Sequence, residues 1–467
     1  MKYFLVLAGI LFICSSKAQN PFHISISNTT LAATDSVLPF WFAANQHGKV
    51  SAANSFSNIT DLTIGQSHSN KALTGFSHTW GGNFIAAFGK NNVYQLNQAF
   101  AGLAFKGWEL KSGLFYDEIR YAGLSTSNGI IGRSENARPV PRIRFSTMGY
   151  KPFPFAQNWL SFKGEYEEGW LNDDRYVDGA HIHHKNLYLK FQTSSTFHFS
   201  IGFEHFAMWG GTSPNENIGE MPGWENYWRY VFALPGNSDF PAIDQENISG
   251  NQLGSYQLEV VKDFSAFNLT FYLSHPWEDN SGLNWHNWPD NILGLHLHVK
   301  NEKNWVTDVV YEFTNTRQQS VKDSLYTWDE STGTWEFHIH DYYFNHAVYQ
   351  SGFTYQQKVM SSPLFFPVTI KEGISRGIES NRFFAHHLGV SGNLSEHLAW
   401  KGLLTYVEHL GIYGRQYNPA HKQVSALFEV QYIKPGFPVE LGMAVGADAG
   451  NTIGNNFGFR FSVAKRW

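Results

Sequence analysis

The stretch Phe457-Gly-Phe-Arg-Phe-Ser-Val-Ala-Lys-Arg-Trp467 alternates strictly and closes on an aromatic residue. Successive side chains of a strand point to opposite faces. Phe457, Phe459, Phe461, Val463 and Trp467 therefore share one face, and Gly458, Arg460, Ser462 and Arg466 share the other. One face suits lipid and the other water, as in the closing strand of a transmembrane β-barrel.

The same period of two recurs upstream. Phe197, Phe199, Ile201, Phe203 and Ala207 oppose His198, Ser200, Gly202 and Glu204, and Val424, Ala426, Phe428, Val430 and Tyr432 oppose Gln423, Ser425, Glu429 and Gln431. Further strands are expected near 76–88, 96–105, 108–119, 142–150, 158–168, 186–192, 255–262, 267–275, 292–300, 305–313, 335–343, 347–357, 384–392, 398–407, 438–447 and 457–467, about eighteen in all. Tight connections such as Lys106-Gly107, Thr193-Ser-Ser-Thr196 and Asn393-Leu-Ser-Glu-His397 alternate with long ones at about 120–141, 169–185, 208–254, 276–291, 314–334, 358–383 and 408–422. Short turns at one mouth and long loops at the other are the pattern of an outer-membrane barrel, which places both termini and the tight turns in the periplasm.

Composition agrees. Hydrophobic residues make up 42%, aromatic residues 16% and charged residues 16%, and the mean hydropathy is −0.31. No stretch approaches the ~18 apolar residues of a membrane helix. Residues 1–18, with Lys2, an apolar run from Tyr3 to Ile13 and Ser16-Lys17-Ala18, read as a secretory signal. Cys14 follows the bulky Ile13, which argues against a lipid anchor, and its loss with the signal leaves a chain without disulfides. The net charge of −5 becomes −7 once Lys2 and Lys17 leave, 32 basic against 39 acidic residues, so no basic face for nucleic acid is expected. Residues 19–72 read as an N-terminal periplasmic segment or plug with a short helix over Leu38–Gly48, Asp35 or Ser36 being the cap and Gly48 the stop. Residues 73–467 read as the barrel.

Two regions have the composition of a carbohydrate site. Trp277, Trp285 and Trp288 lie among asparagines and acids, and Trp224 and Trp228 lie in a second long loop. Indole stacks on sugar C–H faces while Asn and Asp bind paired hydroxyls; the plainer reading is an aromatic belt at the membrane interface. Arg142 and Arg144 share a strand face, where they would bind an acidic polysaccharide or pair with lumenal acids. Histidine pairs such as His296 with His298 lack the companion ligands of a zinc pattern, so no metal and no cofactor are expected. Neither a nucleophile elbow nor a phosphate loop is present, so no enzyme is expected.

Four patches in order, Leu38-Pro-Phe-Trp-Phe-Ala-Ala-Asn-Gln-His-Gly48, Ala137-Arg-Pro-Val-Pro-Arg-Ile-Arg144, Tyr349-Gln-Ser-Gly-Phe-Thr-Tyr355 and Asn381-Arg-Phe-Phe-Ala-His-His-Leu-Gly-Val390, resemble the Wzi family of capsule assembly proteins. The resemblance implies an eighteen-stranded barrel with a helical periplasmic plug, whose external loops bind capsular polysaccharide as a surface lectin. No ligand residue is carried over, because the loops hold no motif matching position by position. The expected partners are capsular or exopolysaccharide and outer-membrane lipid, with the protein a monomer in the outer membrane. The competing reading is a pore for sugars or other polar solutes, with Arg142 and Arg144 lining an open lumen.

Overall fold

A computed structural model describes residues 22–467 except 91, 157, 247, 322–325, 330–333 and 338–339. The expected signal and Cys14 lie outside the described residues. The chain forms a closed antiparallel barrel of eighteen strands. These are β1 (Phe22–Ala33), β2 (Phe56–Gln66), β3 (Phe76–Gly89), β4 (Val93–Phe105), β5 (Trp108–Leu114), β6 (Arg142–Thr147, continued by Lys151–Pro152), β7 (Leu160–Trp170), β8 (His181–Ser194) and β9 (Phe197–Trp209). They are followed by β10 (Asn251–Asp263), β11 (Phe267–Trp277), β12 (Asn291–Val299), β13 (Asp308–Asn315), β14 (Phe383–Ser395), β15 (Leu398–Ile412), β16 (Arg415–Tyr432), β17 (Glu440–Gly450) and β18 (Asn456–Arg466). Each strand pairs with its neighbours in sequence, and β18 closes on β1 with Ser25 opposite Arg466 and Ala33 opposite Gly458.

The tail behaves as its alternation demands. Phe457 and Phe459 are exposed on the outer face, and Gly458 and Arg460 turn inward, where Arg460 pairs with Glu429 at 2.9 Å. Outward Ile26, Leu62, Phe84, Leu103, Ile143, Leu187, Ile201, Phe271, Leu295, Leu404 and Met443 continue an apolar band around the wall. At the mouth that carries the chain termini, exposed Phe76, Phe105, Trp159, Trp305 and Trp467 form an aromatic girdle.

The strand total agrees with the expectation through two compensating differences. Phe22–Ala33 and Phe56–Gln66, expected within a plug, are strands β1 and β2. Their alternation is hard to read because outward Asn28, Asn58 and Thr60 interrupt the apolar face. Conversely, 347–357 and the described residues of 335–343 lie outside the barrel wall. Thr334–Phe337 pairs with Tyr326–Asp329 in a separate hairpin, and Thr354–Tyr355 pairs with Lys358–Val359. Tyr343, Phe344, Val348, Tyr349, Phe353 and Tyr355 are buried inside the barrel, and a core segment has the same aromatic richness as a strand. The long loop expected over 408–422 is an extended hairpin of β15 and β16 turning at Tyr413-Gly414. Residues 415–422 pair only with β15, so Pro419 sits on an edge where no ladder donor is required.

The long connections, 34–55, 115–141, 171–180, 210–250, 278–290 and 316–382, all leave the mouth opposite the termini, here the loop end. The segment expected to plug the terminal mouth is thus the β1–β2 connection, and it enters from the loop end. It carries α1 (Phe40–Ala43), which starts after Pro39 without a side-chain cap and ends at Ala44, short of Gly48. Gly48 turns at φ 69°, where a Cβ would stand 3.0 Å from the Arg138 backbone. Arg138 brings the Leu38–Gly48 and Ala137–Arg144 patches together there, and beside it the His47 and Gly48 amides donate to the Glu135 and Asn136 carbonyls at 2.6 and 3.1 Å. Leu38, Trp41 and Phe42 from this connection, Leu124 and Ile131 from 115–141, Leu171 and Val177 from 171–180, and Tyr343 to Phe365 from 316–382 form one apolar core with inward Ile59, Phe206, Val310, Phe383 and Val407. Burial of that surface holds the connections inside the lumen.

Candidate functional site

Three layers follow from this arrangement: a polar lumen at the terminal half, a charged and apolar plug above it, and a loop-end surface. The terminal half holds a polar cavity of about 270 Å³ lined by Thr29, Gln46, Lys49, Asp61, Lys401 and Glu429 among others.

Arg142 and Arg144 point into the lumen, as parity requires, but they are enclosed. Arg142 meets Asp117 at 2.8 Å and Glu167 at 3.1 Å. Arg144 meets Glu167 at 2.8 Å, Glu165 at 3.1 Å and also Asp117. Arg133 from the 115–141 connection adds a contact to Glu167 at 2.6 Å. His184 bridges Glu204 at 2.5 Å and Glu165 at 3.3 Å, and Arg142 stacks over Phe115 at 4.1 Å. Burial pushes the Asp117 carboxyl up, but Arg133, Arg142 and Arg144 outweigh it and hold Asp117 well below the usual carboxylate range. Glu165, Glu167 and His184 come within 4.8 Å of one another, yet the guanidiniums already balance these carboxylates and the cluster carries no excess negative charge for a cation. The two arginines tie the plug to the wall through Asp117. His296 and His298 share Asp308 at 2.9 and 2.8 Å.

The tryptophans separate. Trp277 is 1% exposed, its ring laid across Phe203 and His205 at centroid distances of 5.4 and 5.3 Å and over Gly254, so no sugar can reach it. Trp285 lies flat on outward His275 at 4.0 Å and Tyr256 at 5.4 Å, with Trp288 beside it, both exposed at the outer rim. Trp224 and Trp228 are exposed on the part of the 210–250 connection that packs on outward His181 and Trp209, outside the wall. These five indoles therefore do not converge on one site.

Another group does gather at the loop end. The Arg382 guanidinium stacks 3.6 Å from the Tyr413 ring centroid, and the Tyr413 hydroxyl donates to the Arg317 and Gln318 carbonyls at 3.1 Å. Arg317 in turn covers Phe384 at 5.0 Å, and Arg376 covers Tyr176 at 4.5 Å. Whereas Arg133, Arg142, Arg144 and Arg175 are ion-paired inside, Arg317, Arg376, Arg382 and Arg415 have no carboxylate partner among the described residues. Sequence reasoning missed them because they are scattered over 317–415; the one local signal was Arg382 within the Asn381–Val390 patch.

Beneath this surface, connection 278–290 is stapled to 341–344. Glu278 accepts the Tyr342 and Phe344 amides at 2.8 and 3.1 Å, and Asp341 accepts the Ser320 and Ser281 hydroxyls at 2.6 and 3.2 Å. Burial, then Asp279, pushes Asp341 up to about 7, burial pushes Asp290 up to about 7, and burial with Asp341 raises Glu278. An acid raised in the folded state binds more protons folded than unfolded, so its stabilisation is complete below the ordinary value of about 4 and is lost as pH rises through about 7. Asp341→Asn is accordingly expected to raise the heat stability of the barrel at pH 8, by roughly 1–2 kcal/mol, and to be near neutral at pH 5. Thermal unfolding in detergent at both pH values checks this; an equal effect at both would show that the Asp341 charge is not what strains the cap.

The sequence model of the family described as capsule assembly protein Wzi matches residues 25–366. The chain belongs to the Wzi family. Among solved structures, Wzi of Escherichia coli, described as an outer-membrane protein involved in group 1 capsule assembly and a carbohydrate-binding β-barrel, superposes with a TM-score of 0.59. The identity is 14%, over 99% of this chain and 87% of that one, so the likeness is one of fold. Pseudomonas aeruginosa OprD matches with a TM-score of 0.46 at 8% identity over 96% and 95% of the two chains, and OccK3 with 0.46 at 9% over 96% and 95%. No curated protein matches. The Wzi match spans both the α1 connection and most of the plug, so the family's shared sequence includes the parts that fill the lumen.

Proposed function

We propose that this Wzi-family protein is a non-enzymatic, monomeric outer-membrane lectin that holds exported, acidic capsular polysaccharide at the cell surface. In this reading the termini face the periplasm and the loop end faces outward. The observation that carries it is the contrast between the enclosed, ion-paired arginines of the lumen and Arg317, Arg376, Arg382 and Arg415 at the loop end, which have no carboxylate partner among the described residues. A guanidinium stacked on an aromatic ring keeps its edge directed outward, where it binds a carboxylate through two parallel hydrogen bonds. The family membership and the carbohydrate binding of the Escherichia coli relative support the same reading. We assign Trp285 and Trp288 to the membrane-interface belt.

The pore reading requires a continuous aqueous path, and the apolar core of the plug stands in it. The barrel is therefore expected to be electrically silent in planar bilayers, whereas ohmic conductance blocked by sugars would restore the pore.

Binding is tested by retention of extracted cell-surface polysaccharide on purified, detergent-solubilised protein. Arg382→Ala and Arg317→Ala are each expected to weaken retention about tenfold, near 1.4 kcal/mol, with the loss growing less distinct at high salt. Trp277→Ala, Trp285→Ala and Trp288→Ala are expected to leave it within about twofold, a few tenths of a kcal/mol. Loss confined to the tryptophan variants would overturn the arginine assignment, and no retention by the unaltered protein would sink the lectin.

A further inference from the structure

Ionisable side chains stand on the lipid-side parity of three adjacent strands. Outward Tyr166, Glu168 and Trp170 of β7, His183 and Lys185 of β8, and His205 of β9 are register partners across the ladder, Glu168 opposite His183 and Lys185 opposite His205. At a rise of ~3.3 Å per residue and a strand tilt near 40°, each residue adds roughly 2.5 Å of height. Lys185 and His183 thus stand roughly 15 and 20 Å above Phe191 at the girdle of the terminal mouth, inside an apolar band about 25 Å tall. Left bare, this quartet would face hydrocarbon at a cost of several kcal/mol.

The 210–250 connection covers it. The helical turn Trp224–Asn226 and α2 (Tyr227–Val231) fold down over the outside of the wall. The Tyr227 hydroxyl joins Glu168 and lies 2.5 Å from the Tyr166 hydroxyl, while Glu168 holds His183 at 2.5 Å and accepts the Trp209 indole N–H at 3.3 Å. Lys185 donates to His205 Nδ1 at 2.5 Å and to the Val231 carbonyl; the Gln252 amide oxygen accepts from His205 Nε2 at 2.6 Å, and its NH2 donates to the Tyr230 carbonyl at 3.2 Å. Tyr227, Tyr230, Val231 and Phe240 pack on outward Ala207 and Trp209 as a second, extramural core. The far side of this flap then presents Trp224, Trp228, Phe232 and Leu234, which are 59%, 60%, 63% and 45% exposed. Its Trp224 packs on His181, the register partner of exposed Trp170 at the same rim, and it stands above exposed Leu187 and Ile201 of the band.

We propose that the flap is a lipid-facing extension of the barrel: it seals a polar patch of the wall and replaces it with an aromatic surface immersed in the outer leaflet of the membrane. This rests on the barrel spanning a membrane as read above. The continuity of the four exposed residues with the lipid band selects lipid over glycan as their occupant. The flap also explains why Trp224 and Trp228 share a loop yet lie away from the loop-end arginines.

The only cysteine of the sequence is Cys14, so single labelling sites can be introduced downstream once it is replaced by serine. Phe232→Cys and Trp228→Cys would carry a nitroxide in protein reconstituted into phosphatidylcholine nanodiscs, with Leu187→Cys in the band and Asn217→Cys on the loop end as references. Collision with oxygen relative to a water-soluble nickel chelate reports immersion. The expected result is that positions 228 and 232 match 187 and exceed 217 several-fold. If 187 is immersed while 228 and 232 match 217, the flap stands in water and the proposal falls, and protection of those two labels by added polysaccharide would reassign the surface to glycan. If 187 itself matches 217, the membrane reading fails and takes the flap with it.

Discussion

Asp117→Ala is expected to cost the folded barrel about 3 kcal/mol, the largest effect of any single carboxylate removed. Asp117 is the acceptor shared by Arg133, Arg142 and Arg144, one from the plug and two from β6, so its loss leaves three like charges packed together with two remaining acids. Breaking a buried pair typically costs 3–5 kcal/mol, and the low end applies because the Asp117 side chain keeps 26% of its surface accessible from within the lumen. Equilibrium unfolding by urea in lipid vesicles measures it. The pH dependence follows from the depressed carboxyl: its stabilisation is present above about pH 4 and is lost only as pH falls through the folded value, so the cost should be full at pH 7 and shrink toward pH 2. A variant as stable as the unaltered protein at pH 7 would mean that the arginines find other partners.

Glu312→Leu is expected to be nearly as damaging, roughly 3 kcal/mol, for a different reason. The Glu312 carboxylate on β13 accepts hydroxyls from Ser125 at 2.6 Å, Ser127 at 3.1 Å, Tyr272 at 2.8 Å and from Thr126, all buried. Leucine fits the space but leaves those donors without an acceptor, and each orphaned buried hydroxyl costs about 1–3 kcal/mol before relaxation. The loss is local to the 115–141 connection. Amide exchange over 121–131 should accelerate by orders of magnitude while the exchange of β16 and β17 stays slow, and Glu312→Gln, which keeps an acceptor, should lie between. Uniform acceleration across the barrel would show that Glu312 supports the wall and not the plug.

Several features were already legible in the residues. Strict alternation from Phe457 to Trp467 gave the last strand its two faces because a strand's side-chain period is fixed by backbone geometry and needs no partner. The tight turns at Lys106-Gly107 and near Ser194–Phe197 fall where expected, and the lumenal parity of Arg142 and Arg144 is as read. What that parity could not reveal is that three acids from β7 and the 115–141 connection already neutralise them.

Local periodicity and turn chemistry are enough to make the chain a β-barrel with an apolar outer band and long connections at one mouth. Long-range packing alone makes β1 and β2 complete the ring, turns 341–365 into core and not wall, and seals Trp277 while Arg317 and Arg382 meet Tyr413 at the loop end. The physical reason is that lumen and membrane both reward apolar surface: an aromatic run is equally stabilised by lipid outside or by a plug within, and only the closure of distant strands around it settles which side it takes.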